Sequence, residues 1–296
     1  MSKYWYLTAG KMKVLSLGLL ILSVLAVNAH AQGYLGSAGT FAVLGASTVT
    51  NTGATTLGGN LGVYPGTAIT GSGTITLTGT IYTPTVGPSG VAQGAQAAAS
   101  SAFSTLAGLG ATGSLGGNLS GDTVGVGVWD VGAAPFNLVT NGVLTLDFGG
   151  LSGQNIIFRT GASTLITGSG SSVVIEDAGL DDSVYWVVGS SATIGTTTSF
   201  AGNIIARTSV AMQTGATDGC GSVIALNAAV TLDNNTISTG CAITGGTTGG
   251  GGTVTPVVPP GGTTVTVPEG GSTLLYLCSF LLPIGAMRAF RFRRSI

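Results

Sequence analysis

Residues 185–237 read YWVVGSSATIGTTTSFAGNIIARTSVAMQTGATDGCGSVIALNAAVTLDNNTI, and three unequal repeats are nested in them. Trp186, Ile204 and Ile224 align, and eight residues after each stand Ile194, Met212 and Leu232; both columns step by 18 and then 20 residues. A period near 20, assembled from short β-branched runs and Gly, Asn, Asp and Ser turns, is the mark of a β-solenoid with one coil per repeat. A single coil cannot bury its own apolar side, so coils stack about 4.8 Å apart and share one core. Stacking also aligns the outward residues, which here are mostly Thr, Ser, Ala and Asn.

The same grammar extends upstream. GVGVWDV, GVLTLDF, NIIFRT, STLITG and SSVVIED lie between residues 115 and 177, and Asn155-Ile156-Ile157-Phe158 resembles Asn203-Ile204-Ile205-Ala206 as an inward-facing strand. Between residues 35 and 85, FAVLGA, TLGGNLGV, TAITG and TITLTGTIY alternate apolar and small polar residues between Gly-rich turns, the pattern of further strands. The stretch 88–109, PSGVAQGAQAAASSAFSTLAGL, breaks this grammar. It is rich in Ala, opens on Pro88-Ser89, and places Val91, Ala95, Ala98, Ala102, Leu106 and Leu109 at helical spacing, which predicts one amphipathic helix. Its stripe is small-sided, so it can lie close against a flat sheet. The absence of Lys and Arg along it argues against a membrane-surface helix.

TFAVLGASTVTNTG (40–53), GNLGVYPGTAITG (59–71), FAGNIIARTSVAMQTGAT (200–217) and AVTLDNNTI (229–237) together resemble the microbial ice-binding (antifreeze) family, over roughly Leu35 to Ile243. The resemblance implies an all-β solenoid, a right-handed discontinuous β-helix with one long α-helix packed alongside. It also implies that the helical insertion interrupts the order of coils, with 35–85 at one end of the stack, and it implies ice as the target.

Composition narrows the function independently. Between Gln32 and Val267 the cations are Arg159 and Arg207, against nine acids, a net charge of −7. Such a domain lacks the phosphate-neutralising cations on which nucleic-acid binding depends. The chain's one histidine, His30, falls in the leader, which removes imidazole metal sites and His-dependent triads from the expected mature domain. Glu176-Asp177 and Asp181-Asp182 are paired acids of the kind carbohydrate chemistry uses, yet they flank a Gly179 turn and read as solvated, with a Ca²⁺ site the weaker alternative. No enzyme, cofactor or metal is expected.

Residues 1–31 read as a signal peptide: Lys11 and Lys13, an apolar run at 14–27, then Ala29-His30-Ala31. The solenoid domain is expected over 32–244, a Gly/Thr/Pro linker over 245–267, and a tail over 268–296. That tail joins a Pro268-Glu269 motif, an apolar span and terminal arginines, and resembles the PEP-CTERM sorting signals of exosortase-type systems. A sorting protease as partner and a secreted or cell-surface location follow from that resemblance; the arginines suit the cytoplasmic side. Cys220 and Cys241, 21 residues apart at similar turn positions, are expected to form a disulfide across the last coil, about 3 kcal/mol of loop closure.

Ice contact needs no titratable group. It needs a flat, rigid, uncharged array, and Thr suits it because its stiff χ1 fixes both methyl and hydroxyl. In the family a Thr-(Gly/Ala)-x-(Thr/Asn) element recurs on the ice-binding face. Thr214-Gly215-Ala216-Thr217 matches it; Thr196-Thr197-Thr198-Ser199, Thr167-Gly168-Ser169-Gly170 and Asp233-Asn234-Asn235-Thr236 depart from it. The expected ice-binding set is therefore Thr214, Thr217, Thr196, Thr198 and Thr167, extended along adjoining strands by Thr193, Ser209 and Thr231. The expected protein is a monomer that adsorbs to ice; a surface adhesin binding a glycan or another cell is the rival reading.

Overall fold

In a computed structural model of the protein, the described residues are 33–131 and 134–240, all within the compact unit Met1–Val257. The leader, the linker, the tail and Cys241 lie outside them. Three parallel sheets of nine, seven and eight strands, here called faces A, B and C, wind along the chain in the repeating order A, B, C. Downstream of the helix, six strands of face A run from Gly113–Ser114 to Val223–Ala225. The chain's first strand, Phe41–Gly45, then pairs with Val223–Ala225, Val43 opposite Val223 and Leu44 opposite Ile224. The coils of residues 41–82 thus stack on the last coil of the chain and form one end of the solenoid, a discontinuous β-helix as the resemblance implied.

Face A is buried on both sides, which is why its strands read as unbroken apolar runs. Val184, Trp186 and Val188 point into the solenoid, where Trp186 stacks on Phe158 at 4.2 Å between ring centroids and its indole N–H donates to the Ala201 carbonyl. Tyr185, Val187, Ile157, Ile205 and Ile224 point outward into a second core beneath the helix. The column beginning Trp186 and Ile204 therefore continues at Val223, not Ile224. Met212 and Leu232 do share a column, because Val210 and Ala211 pair with Val230 and Thr231. The additional residue lies in the turn between Ala225 and Val230. A slip of one residue turns a side chain to the opposite face, so Ile224 supports the helix rather than the solenoid interior. Asn155 and Asn203 are likewise out of register by two: Asn203 is opposite Tyr185, which is opposite Ile157.

The helix, α1, is Val91–Ala107, shorter than the expected 88–109. Gly87 and Gly90 hold left-handed φ of 80° and 86°, conformations a helix cannot include, so Pro88-Ser89 precede it. Its buried face is Ala92, Ala95, Gln96, Ala99, Ala102, Phe103 and Leu106. Val91, Ala98 and Leu109 sit at or beyond the margin of that stripe, because the helix is rolled towards Phe103, its largest side chain. The domain's two arginines both serve α1. Arg159 forms a bidentate pair with Asp130, at 2.7 and 2.9 Å, and donates to the carbonyls of Leu106, Ala107 and Leu109, satisfying the helix C-terminus. Arg207 lies over the Phe103 ring at 5.0 Å.

Candidate functional site

Face A is covered by α1, which leaves B and C open to solvent. On face B one outward rank runs Asn137, Ile166, Thr193, Ala211, Thr231, Thr50 and Thr70, each opposite the next across adjacent strands. Thr231 and Thr70 are exposed and Thr193, Ala211 and Thr50 half-buried. A second rank beside it contains Ser191, Ser209 and Ala229, then Thr48 opposite Ala68; the Ser209 hydroxyl donates to the Ser191 hydroxyl at 2.9 Å. Inter-strand spacing of about 4.8 Å and about 6.7 Å between alternate residues set the mesh of this array.

At the B-to-C corner every coil from residue 139 onwards makes the same turn. Asn141, Gly170, Thr197, Gly215 and Asn234 have left-handed φ of 54–69°. Their N–H groups donate in turn to the carbonyls of Ser169, Thr196, Thr214, Asp233 and Thr52 in the next coil, at 2.9–3.0 Å. This ladder explains the four-residue element. Its first residue is the outer edge of face B, its second makes the left-handed turn, its third points inward, and its fourth opens face C. Thr214 and Thr217 are therefore on different faces: Thr214 is exposed at the edge of B, while Thr217 stands on C between Ser199 and Thr236.

The same rule sorts the remaining expected residues. Thr193, Ser209 and Thr231 are on face B, with Thr196 at its edge beside Thr214. Thr198, in third place, is wholly buried, and Thr167 is 3% exposed; neither can touch ice. The structurally equivalent element near Thr167 is Ser169-Gly170-Ser171-Ser172, two residues later than the sequence suggested, so Thr167 is an inward strand residue. Inside the corner the Thr167 and Thr198 hydroxyls meet at 3.1 Å, Ser171 meets Thr198 at 3.2 Å, and the Gly195 N–H donates to Thr167 at 2.8 Å. Asn235 continues this inner ladder, donating to the carbonyls of Gln213 and Ala216. Such a satisfied buried network holds the edge of face B rigid. Sequence reasoning missed Thr48, Thr50, Thr52 and Thr70, although the strict alternation of the first three was a visible strand signal.

Charge separates the two faces. Face B's strands carry one ionisable residue, Asp233, whose carboxylate accepts the Thr214 hydroxyl. Face C also has a hydroxyl rank, Ser172, Ser199, Thr217, Thr236, Thr56 and Thr76, but it continues into Val143, Val174 and the opposed acids Asp147 and Glu176. The paired acids are not all solvated, as the sequence had suggested: Asp182 is buried and accepts the N–H groups of Gln154 and Gly179, each at 2.7 Å. Among the described residues no group of three or more His, Cys, Asp or Glu could hold an ion. Cys220 is disulfide-bonded; Cys241, its expected partner, is outside the described residues.

Residues 43–238 match the family model described as Ice-binding-like. An ice-binding protein of Nostoc sp. (strain HG1) is 41% identical over 208 residues, 70% of this chain and 74% of that protein. The solved ice-binding protein of the Antarctic ascomycete Antarctomyces psychrotrophicus superposes with a TM-score of 0.63 at 35% identity, covering 70% of this chain and 98% of that one. An ice-binding protein from an Antarctic biological consortium gives 0.62 at 37% identity over 69% and 89% of the two chains. With most of its solenoid matched by the family model and by a close relative, the chain belongs to the ice-binding-like family.

Proposed function

We propose that the protein is an exported ice-binding protein that adsorbs to ice through face B, restrains crystal growth and inhibits recrystallisation. The rank Thr193–Ala211–Thr231–Thr50–Thr70, flanked by Ser191, Ser209, Ala229, Thr48 and Ala68, carries this reading. Its strands are parallel and in register, and the polar ladder of Thr167, Ser171, Thr198 and Asn235 inside the B-to-C corner holds its edge. Its nearest charge, Asp233, is engaged by Thr214. Methyls and hydroxyls at such repeats order water without proton transfer, cofactor or metal. Export follows from the leader-like residues 1–31, and surface display or release from the sorting-type tail 268–296. The Cys220–Cys241 bridge belongs to the same reading, as a staple on the last coil.

The test is direct. The purified protein should shape ice crystals and show thermal hysteresis, and Thr231→Tyr, at the centre of the rank, should lose most of both while keeping its fold. Full hysteresis in a folded Thr231→Tyr would move the ice contact off face B. A wild-type protein inert towards ice would leave the adhesin reading.

A further inference from the structure

Asp218 is the second residue of the strand Thr217–Asp218, and it points into the solenoid. It is wholly buried, in register between Phe200 of one neighbouring coil and Ile237 of the other. One carboxylate oxygen accepts the Cys220 N–H at 3.2 Å, and the other has no hydrogen-bond partner. Four residues on, the Ser222 hydroxyl is also buried without a partner. This turn holds two of the five buried side-chain atoms that lack a hydrogen-bond partner among the described residues, which makes it a local weak point. The ladder is thin here too, since Ser199–Phe200 and Thr217–Asp218 are two-residue strands.

No opposite charge compensates the carboxyl. The strands packed around it, Ser199–Phe200, Asn203–Ala206, Val223–Ala225 and Thr236–Ser238, contain no ionisable residue. Arg159 is committed to Asp130 and the end of α1, and Arg207 lies over Phe103, both on the outer side of face A. Tyr185 faces outward beneath α1. Asp182 and Asp233 are occupied at their own corners, and Cys220 does not titrate in its disulfide. Desolvation by burial therefore pushes the Asp218 pKa from 3.8 up to about 8, with the backbone N–H groups of Cys220 and Gly202 drawing it only partly back.

We propose that the Asp218 carboxyl is a proton-operated latch: while neutral it keeps the coil from Thr217 to Ser222 closed, and on losing its proton it opens that coil locally to reach water. The sign follows from linkage. The folded state holds one proton more than the unfolded state between about pH 4 and pH 8, so this group's contribution to stability falls as pH rises through that window and is level above it. The opening is sub-global, as suits a segment with few ladder bonds. It rests on the buried, half-unpartnered carboxylate and the thin ladder around it, with the raised pKa setting the window, and stands or falls independently of ice binding.

The test is a titration of the aspartate side-chain carboxyl carbons by NMR, beside melting curves across the same pH range for wild type and Asp218→Asn. One aspartate with a midpoint near pH 8 is expected, together with faster amide exchange over 217–222 above it in wild type than in Asp218→Asn at the same pH. The variant should lose the decline in melting temperature between about pH 5 and pH 8 that wild type shows. Should the variant fail to fold, the wild-type titration decides alone. Every aspartate titrating in the ordinary carboxylate range, or an Asn variant with an unchanged pH slope, overturns the latch.

Discussion

Thr214 and Thr217 are three residues apart in the chain and stand on different faces of the solenoid, because Gly215 between them turns the backbone through the left-handed region with φ of 69°. Replacing each in turn by Tyr therefore probes two surfaces. Thr214→Tyr, at the edge of face B, should remove much of the thermal hysteresis. Thr217→Tyr on face C should be nearly silent, as should Asp147→Tyr further along that face. All three should melt within about 0.5 kcal/mol of wild type, since outward substitutions disturb little packing.

Thr198→Val should do the reverse. It removes a hydroxyl that contacts Thr167, Ser171 and the Gly168 carbonyl inside the corner, and leaves those groups partly unsatisfied. A loss of about 1–2 kcal/mol in chemical denaturation is expected, with hysteresis at low temperature kept. A variant that instead lost activity with unchanged stability would put Thr198 on the ice-binding surface.

Arg159→Ala should detach the end of α1. The substitution strips Asp130 of its partner and removes the Arg159 donor from the carbonyls of Ala107 and Leu109, while Leu106 keeps the Leu109 N–H. Because Asp130 is 38% exposed the cost is moderated by water, and about 2–3 kcal/mol is expected. Lower helix signal in circular dichroism, with β signal retained, would locate the damage.

Thr197→Gly should stabilise the protein by about 1 kcal/mol. Thr197 is a β-branched residue at φ of 54°, where Gly170 and Gly215 occupy the equivalent place in neighbouring coils. Its side chain is exposed, so little packing is lost. A higher melting temperature checks this, and a lower one would mean that its hydroxyl bond to the Thr196 carbonyl outweighs the strain.

Much of this architecture was legible beforehand because two periods, near 20 for coils and 2 within strands, follow from backbone geometry. The legibility ended wherever one residue decided a face. Ile224 looked like the heir of Trp186 because both are large and apolar, yet face A is apolar on both sides and cannot signal its own phase. The four-residue Thr element looked like part of a flat array because a β-branched residue such as Thr197 gives no sign of a left-handed conformation. The closure of the stack between Val43 and Val223 was also invisible to local pattern, being a contact 180 residues apart in the chain; the family resemblance implied it, and periodicity alone did not. Phe103 was passed over for its alanine neighbours, although one large ring outweighs several methyls in deciding how a helix rolls.

The discontinuous winding has a mechanical consequence. Gly33 and Thr239 line one cleft at the C-to-A corner, so the chain enters and leaves the described solenoid at its flank rather than at the tips of the stack. In a three-sided prism that corner lies across from face B. The chain therefore enters and leaves the described domain on the side away from the threonine ranks.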